Sequence, residues 1–457
     1  MTFGTVFSAQ RCSVTGSTPV GRTPHRVDVS LVSSLRFKAA RALNAESRHV
    51  QVAARPTPGP TRDRSALRVA LVVSAAHVVN DMYASFVPPL LPRIMGDLGL
   101  SITLAATLAV AFSVAAALPQ PFFGFLADRY GRRGLAVLGP IISGVFVSAI
   151  AWATGFWSLL LLLIVGGIGS AAFHPSGASY AVRVSEGKGG GARYSVFAFG
   201  GSVGFAIGPI VAVWLVQSRG MDGLWVAAFP VFVVAPVIYL SLPSGRSETR
   251  DAHRPPPAPP SEVLRHLKGP LGLIFGVSAV MAFVQRAFLT MEPIIVAESG
   301  GSETLGAIAL TTYLSAQAFG TVAGGLLADR VDRRKLLAHL CFWAFPAHVF
   351  AVWIGPEGLI GLMAAGMAGF LGMATLPPVV VMAQEMIPTG TAVSSGIVMG
   401  LAWATGAIGV LGTGMLADAM GAQTATLLSF PVALIAVGLA LHPSLGSDGA
   451  YTAGSNA

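Results

Sequence analysis

His77 and Asp81 stand four residues apart inside an apolar stretch, which puts an imidazole and a carboxylate on one helix face about a turn from each other. Imidazole changes charge near neutrality, so such a pair can accept a proton on one side of a barrier and release it on the other. Counted at ~1.5 Å per residue, His77 lies ~13 Å and Asp81 ~20 Å beyond Arg68, and His174 lies ~13 Å short of Arg183. His77 and His174 can therefore face one cavity at similar depth. Asn80 adjoins Asp81, and Gln120 sits between Pro119 and Pro121; Gln120 either lines a path or caps a kink. Arg286, ~22 Å past Leu271 at ~1.5 Å per residue, is suited to holding an oxyanion bidentately or to pairing with Asp81. A charge at the centre of a membrane span costs about 2.5–3.5 kcal/mol on insertion scales, so each of these groups needs a reason to be there. For His77, Asn80 and His174 the competing reason is interhelical hydrogen bonding; for Arg286 it is pairing with another helix.

The chain has 457 residues, 53% hydrophobic and 11% charged, with a mean hydropathy of +0.69. Soluble proteins carry about 25% charged residues, so this composition cannot cover a water-facing surface. Two cysteines, Cys12 and Cys341, are too few for a disulfide framework. The net charge is +9, but residues 1–67 hold ten Lys/Arg against three Asp/Glu. The rest is nearly neutral, with its basic residues in short loops, which excludes a basic nucleic-acid face.

A run of ~20 apolar residues crosses ~30 Å of hydrocarbon. After Arg68 there are twelve such runs, at 69–92, 102–127, 135–154, 157–182, 194–217 and 222–242, then 269–296, 304–328, 336–354, 358–384, 392–417 and 422–441. Segment 243–268, with its Pro255–Pro260 run, separates the two sets. The expected architecture is an all-α polytopic membrane protein of two six-helix bundles, at 68–242 and 269–442, joined by the 243–268 linker and followed by a tail, 443–457. Loops after spans 2, 4, 6 and 8 hold fifteen Lys/Arg, while the odd-numbered loops hold Arg93 and Arg219. By the positive-inside rule both termini and the linker are cytoplasmic, in a bacterial inner or plasma membrane. Gly124-Phe-Leu-Ala-Asp128-Arg129-Tyr-Gly-Arg132-Arg133 recurs 201 residues later as Gly325-Leu-Leu-Ala-Asp329-Arg330-Val-Asp-Arg333-Arg334. Duplicated bundles place a substrate path between them.

That repeated segment resembles the signature loop of the major facilitator superfamily. The resemblance covers about 69–442 and implies the major facilitator fold. It also implies a latch role for Gly124, Asp128, Arg129, Arg132, Arg133, Asp329 and Arg330, with Gly124 allowing close helix contact. Within the superfamily the chain is similar to the fosmidomycin resistance group of efflux proteins. His77-Val-Val-Asn80-Asp81, Gln120-Pro121, Phe173-His174-Pro175-x-Gly177 and Gly201-Ser-Val-Gly204-Phe-Ala-Ile-Gly208-Pro209 carry that similarity. Gly208-Pro209 partly resembles the antiporter motif of drug exporters, which adds both residues to the gating set.

Gly200-Gly201-Ser202-Val203-Gly204 fits the Gly-x-Ser-x-Gly pattern of hydrolases, but it lies inside an apolar span rather than at a strand-to-helix elbow. A membrane serine hydrolase is retained as a remote alternative. No ATPase motif and no Cys/His spacing for a metal is present, and no cofactor is expected. Glu292 beside Pro293 is placed as a gate or rim residue, His348 as scaffold, and Gln384 and Glu385 as solvated. The basic leader, 1–67, resembles a transit peptide in composition, and a disordered tail or a misassigned start explains it as well. The expected activity is secondary active transport by a monomer, with the bilayer, protons and a small molecule as partners. The favoured form is proton-coupled antiport of a drug-like or anionic compound, with Asp81 and His77 carrying the proton and His174, Arg286, Gln120 and Asn80 contacting substrate. The alternative is a proton-coupled importer of an organic acid or sugar.

Overall fold

The structure, a computed structural model, describes residues 60–183, 190–242, 267–387 and 394–445. Twelve helices in it are long and apolar enough to cross a membrane. Spans 1–6 are Leu67–Leu98, Ile102–Ala127, Arg132–Trp152, Phe156–Ala181, Ser195–Arg219 and Met221–Ser241. Spans 7–12 are Pro270–Glu298, Glu303–Ala328, Arg333–Ile354, Gly358–Met386, Gly396–Met420 and Ala422–Ala440. No strand occurs among the described residues. Helices are what hydrocarbon demands, because every backbone N–H and C=O must find its partner within the segment. The expectations for the leader as far as residue 59, for linker residues 243–266 and for the tail from residue 446 lie outside the described residues.

Span 1 runs six residues past its expected end at Pro92. The helix Pro60–Ala84 stops and a second, Val87–Leu98, begins at a proline-rich turn, since Pro88 and Pro89 fit the first turn of a helix and break only what precedes them. Prolines divide spans 2 and 10 in the same way, at Pro119 and at Pro377–Pro378. Glycines with positive φ, among them Gly99, Gly220, Gly300 and Gly421, turn the chain between spans.

The 201-residue repeat in the sequence is a repeat of contacts. Ser101 caps span 2 by accepting from Leu104 N, and Ser302 caps span 8 by accepting from Leu305 N. Arg133 donates to the Tyr239 carbonyl at the end of span 6, and Arg334 to the Ala440 and Leu441 carbonyls at the end of span 12. Each arginine thus holds the negative end of the last helix of its own half. This differs from the latch between halves that the resemblance implies for Arg133. Arg129 lies over the Tyr130 ring, and Arg129, Asp329 and Arg330 are exposed while Arg132 is buried. The Asp128 side chain lies outside the described residues. A methyl at Gly124 would meet only Pro175 Cβ, at 3.7 Å, so Gly124 is not at a close helix crossing here.

The tight seam runs elsewhere, along spans 1 and 5. A Cβ at Gly204 would stand 2.0 Å from the Val78 carbonyl oxygen, one at Gly201 would stand 2.5 Å from the His77 ring, and one at Gly208 would meet Met82 O at 2.4 Å. At Gly204 the obstacle is backbone, so the helices themselves must part. Overpacking of this kind costs about 1–3 kcal/mol, and more where backbone has to move. Gly204→Ala is expected to reduce the yield of monodisperse protein several-fold in size-exclusion chromatography, whereas Gly96→Ala, which meets nothing within 4 Å, leaves it unchanged.

The two halves are joined at the end where span 1 leaves and span 2 begins. Arg93 grips Glu303 through Nε–Oε1 at 2.8 Å and Nη2–Oε2 at 3.0 Å. Gln217 Nε2 donates to Thr304 Oγ1 at 2.9 Å. At the same 201-residue offset, Asp418 accepts from Ile102 N at 2.7 Å, Thr103 N at 3.2 Å and Thr103 Oγ1 at 2.5 Å. Asp418 therefore caps a helix of the opposite half, where its charge also meets the positive helix terminus. Losing such a cap costs about 1–2 kcal/mol, a factor of roughly 5–30 in an equilibrium. Asp418→Ala is expected to lower the closed-to-open ratio of this end by that factor, measured as cross-linking between cysteines placed at Ser218 and Ser299.

Candidate functional site

Span 1 presents His77 and Asp81 one turn apart, span 4 presents His174, and span 5 contributes a backbone carbonyl. His77 Nδ1 lies 2.8 Å from Phe197 O, and His174 Nδ1 lies 2.8 Å from Ser170 O. A carbonyl only accepts, so each Nδ1 carries its hydrogen and each Nε2 is left to face Asp81. Those approaches are 3.1 Å, His77 Nε2 to Oδ2, and 3.2 Å, His174 Nε2 to Oδ1. Asn80 Nδ2 donates to Asp81 Oδ1 at 2.9 Å and to Ser170 Oγ at 3.1 Å, which fixes the carboxylate plane. Phe197 stacks on His77 with ring centroids 4.2 Å apart, and the two imidazoles meet edge to face at 5.1 Å.

The chemical consequence is a count. Without a proton between them, an Nε2 lone pair and a carboxylate oxygen at these distances repel each other. The cluster therefore sets two imidazole Nε2 atoms against the two oxygens of one carboxylate, and a proton between Nε2 and oxygen relaxes such an approach. The His77 contact is a close charge approach without an aligned hydrogen bond, since its Nε2 is buried with no bonding partner. Asp81 and His174 are partly exposed, at 16% and 27% of their side chains; His77 and Asn80 are buried. Asn80, fully enclosed, positions Asp81 in this state and does not reach a ligand. The three Nε2 and carboxylate atoms lie within 4.8 Å of one another and could offer three ligands to a divalent ion. Sequence spacing does not reveal that grouping, because His174 is on another span.

The second half lacks the cluster. At the 201-residue offset, Ser278 stands for His77, Ala282 for Asp81 and Thr375 for His174. Ser278 Oγ keeps the corresponding tie, donating to Val398 O at 2.6 Å. This half supplies Arg286 instead, whose counterpart in the first half is Ser85. The guanidinium carbon lies 5.8 Å from the Phe205 ring centre and 5.3 Å from that of Trp403. No ion pair of Arg286 with Asp81 is recorded among the described residues, so in this state the cation rests between aromatic faces. With Ser85, Ser113, Phe205, Pro209 and Thr290 it lines a cavity of about 20 Å³, room for roughly one water molecule.

Gln120 Nε2 donates to Ala116 O at 2.9 Å, capping the kink before Pro121. Gly208 lies on the seam with span 1, and Pro209 borders the Arg286 cavity. Ser202 Oγ bonds back to Ala198 O within an unbroken helix, so the hydrolase elbow is absent. His348 is buried, its Nε2 3.0 Å from Tyr313 Oη and its Nδ1 2.7 Å from Ala344 O. Phe197, Ser170, Phe205 and Trp403 did not stand out in the sequence. The 201-residue offset pairs Phe197 with Val398, but aromatic residues in apolar spans carry no other mark.

The family model of the Major Facilitator Superfamily matches residues 73–394. The fosmidomycin resistance protein of Escherichia coli K12 is 25% identical over 387 residues, 82% of this chain and 92% of that protein. The MFS-type transporter YfnC of Bacillus subtilis 168 is 24% identical over 364 residues, 77% of this chain and 87% of the other. Among solved structures, a bacterial homologue of the human lysosomal transporter Spinster, inward-facing and unoccupied, superposes with a TM-score of 0.67 at 16% identity, covering 84% of this chain and 97% of that one.

Proposed function

This chain belongs to the Major Facilitator Superfamily, and from that premise we propose that it is a proton-driven exporter of a small organic anion. The first compound to test is the phosphonate fosmidomycin. The observation that carries the proposal is the division of charge between the halves. One half holds two imidazoles, His77 and His174, on the one carboxylate of Asp81, and the other holds Arg286, which forms no ion pair among the described residues. Asp81 and His77 exchange the coupling proton, Asn80 orients Asp81, and His174 and Arg286 reach the substrate. Gln120 sets the span 2 kink that borders the path. An arginine fork takes two oxygens of a phosphonate or carboxylate at once, and Phe205 and Trp403, 5.8 and 5.3 Å from the guanidinium carbon, leave its donors without a carboxylate ion pair among the described residues. The joined end, with Arg93, Glu303, Gln217 and Asp418, is the periplasmic gate in this reading, and both termini are cytoplasmic. The name of the Escherichia coli relative supports the substrate.

The test is uptake of labelled fosmidomycin into inverted membrane vesicles energised to an acidic, positive interior. Uptake above empty-vector vesicles, collapsed by an uncoupler, is the expected result. Absence of uptake overturns the fosmidomycin assignment. Uptake that appears only with the opposite gradient overturns antiport in favour of co-transport.

A further inference from the structure

Glu292, one to two turns beyond Arg286 on span 7, is 1% exposed, its Oε2 has no hydrogen-bond partner, and no ion pair of it is recorded among the described residues. We infer that Glu292 is a second protonation site, distinct from the His77–Asp81–His174 cluster, which takes up a proton as the joined end closes and returns it to the same side as that end opens.

The ten residues Ala287–Val296 are all buried, so this part of span 7 is enclosed around its whole circumference. Part of that enclosure comes from the other half, because the terminal helix of span 1, Val87–Leu98, packs along span 7. Parting of the halves at this end strips away that cover and admits water. An ionised carboxylate is stable in water, whereas in the closed state Glu292 Oε2 finds no hydrogen-bond partner among the described residues, so closure favours COO⁻ + H⁺ → COOH. Pro293 adds a mechanical reason for the location. It has no N–H for the Leu289 carbonyl, which weakens the helix one turn below the gate, and it packs against span 8 at Gly306, whose added Cβ would lie 3.5 Å from Pro293 Cα.

Other charges around this stretch are already engaged. Arg93 is paired with Glu303, Asp418 caps span 2, and Glu298 accepts from Ala422 N at 3.0 Å. Tyr313 is bonded to His348 and Glu385 to Arg333 at the far end, while Asp97 is exposed and Arg286 lies between rings. Because the proton enters and leaves on one side, this site moves no net charge. It makes gate closure acid-dependent without contributing to transport stoichiometry.

The test reads conformation rather than transport, so its outcome is separate from the export proposal. Spin labels at Ser218 and Ser299, in a chain with Cys12 and Cys341 replaced, report the separation of the two halves at this end in lipid nanodiscs between about pH 5.5 and 8.5. One linked proton changes the closed-to-open ratio by up to about tenfold per pH unit, closed being favoured by acid. Glu292→Gln and Glu292→Met, both neutral, are expected to hold the closed fraction high and flat across the range. The comparison is made in an Asp81→Asn background, which takes the cluster's coupling carboxylate out of the reading, and the acid-favoured closing is expected to remain there. Absence of any slope in that background overturns the inference. So does a slope that persists when either well-folded neutral Glu292 variant is added to it.

Discussion

Asp81→Asn is expected to abolish concentrative uptake in energised inverted vesicles while leaving the protein folded. The amide keeps the size of the carboxyl and can still bond Asn80, but it carries no charge and cannot take up a proton. The 3.1 and 3.2 Å approaches of the two imidazoles then lose the carboxylate that draws them together. The size of the loss follows from the driving force. One proton moved down a gradient of about one pH unit is worth about 1.4 kcal/mol, which sustains a roughly tenfold accumulation of substrate. With the membrane potential clamped at zero, so that only the pH gradient drives uptake, the variant should level off near equal concentrations on both sides, and the uncoupler should then change nothing. Accumulation by Asp81→Asn matching the parent would remove Asp81 from the coupling role. The companion variant His77→Gln tests whether the cluster acts as a unit, since it removes the imidazole that joins Phe197 O to Asp81.

Arg286→Gln is expected to raise the half-saturating substrate concentration far more than it lowers the maximal rate. Removing one member of a buried, hydrogen-bonded charge pair costs about 2–5 kcal/mol, equivalent to a loss of affinity of roughly 30-fold or more. Arg286→Lys keeps the charge and loses the fork, so it should fall between parent and Gln. The ranking Arg, Lys, Gln is the signature of bidentate anion binding, because a structural role under the Phe205 and Trp403 rings would penalise yield and not affinity. Kinetics of fosmidomycin uptake on purified, equally folded variants decide this. Unchanged half-saturation in Arg286→Gln would exclude the guanidinium from the substrate site.

The twelve spans were legible because hydrocarbon forces a single readable signal on the sequence, an apolar run of sufficient length. The repeat was legible because Gly124–Arg133 and Gly325–Arg334 kept their residues. What escaped was contact detail that side-chain types do not encode. Gly124 reads as a packing glycine, yet the close crossing falls at Gly204 against Val78, since only the rotation of span 5 about its axis decides which glycine meets a neighbour. Arg133 reads as half of a latch between bundles, yet it holds the end of span 6 within its own bundle. His77 and Asp81 could be placed on one face by spacing alone, whereas His174 could be assigned only a depth. The carbonyls of Phe197 and Ser170, which decide where the imidazole hydrogens sit, are backbone atoms and leave no trace in composition.

All the members of the His77–Asp81–His174 cluster, with the carbonyls and the Asn80 amide that hold it, come from spans 1, 4 and 5, and the glycine seam locks spans 1 and 5 together. The cluster is therefore cargo-like freight bolted to one moving body. Rocking one bundle against the other would carry the three residues as a unit, so the motion by itself does not pull their contacts apart. Only a change in the protons between them would do that. An inhibitor that filled the space beside His174 would then act as a stopper, reaching the cluster without separating the helices that hold it.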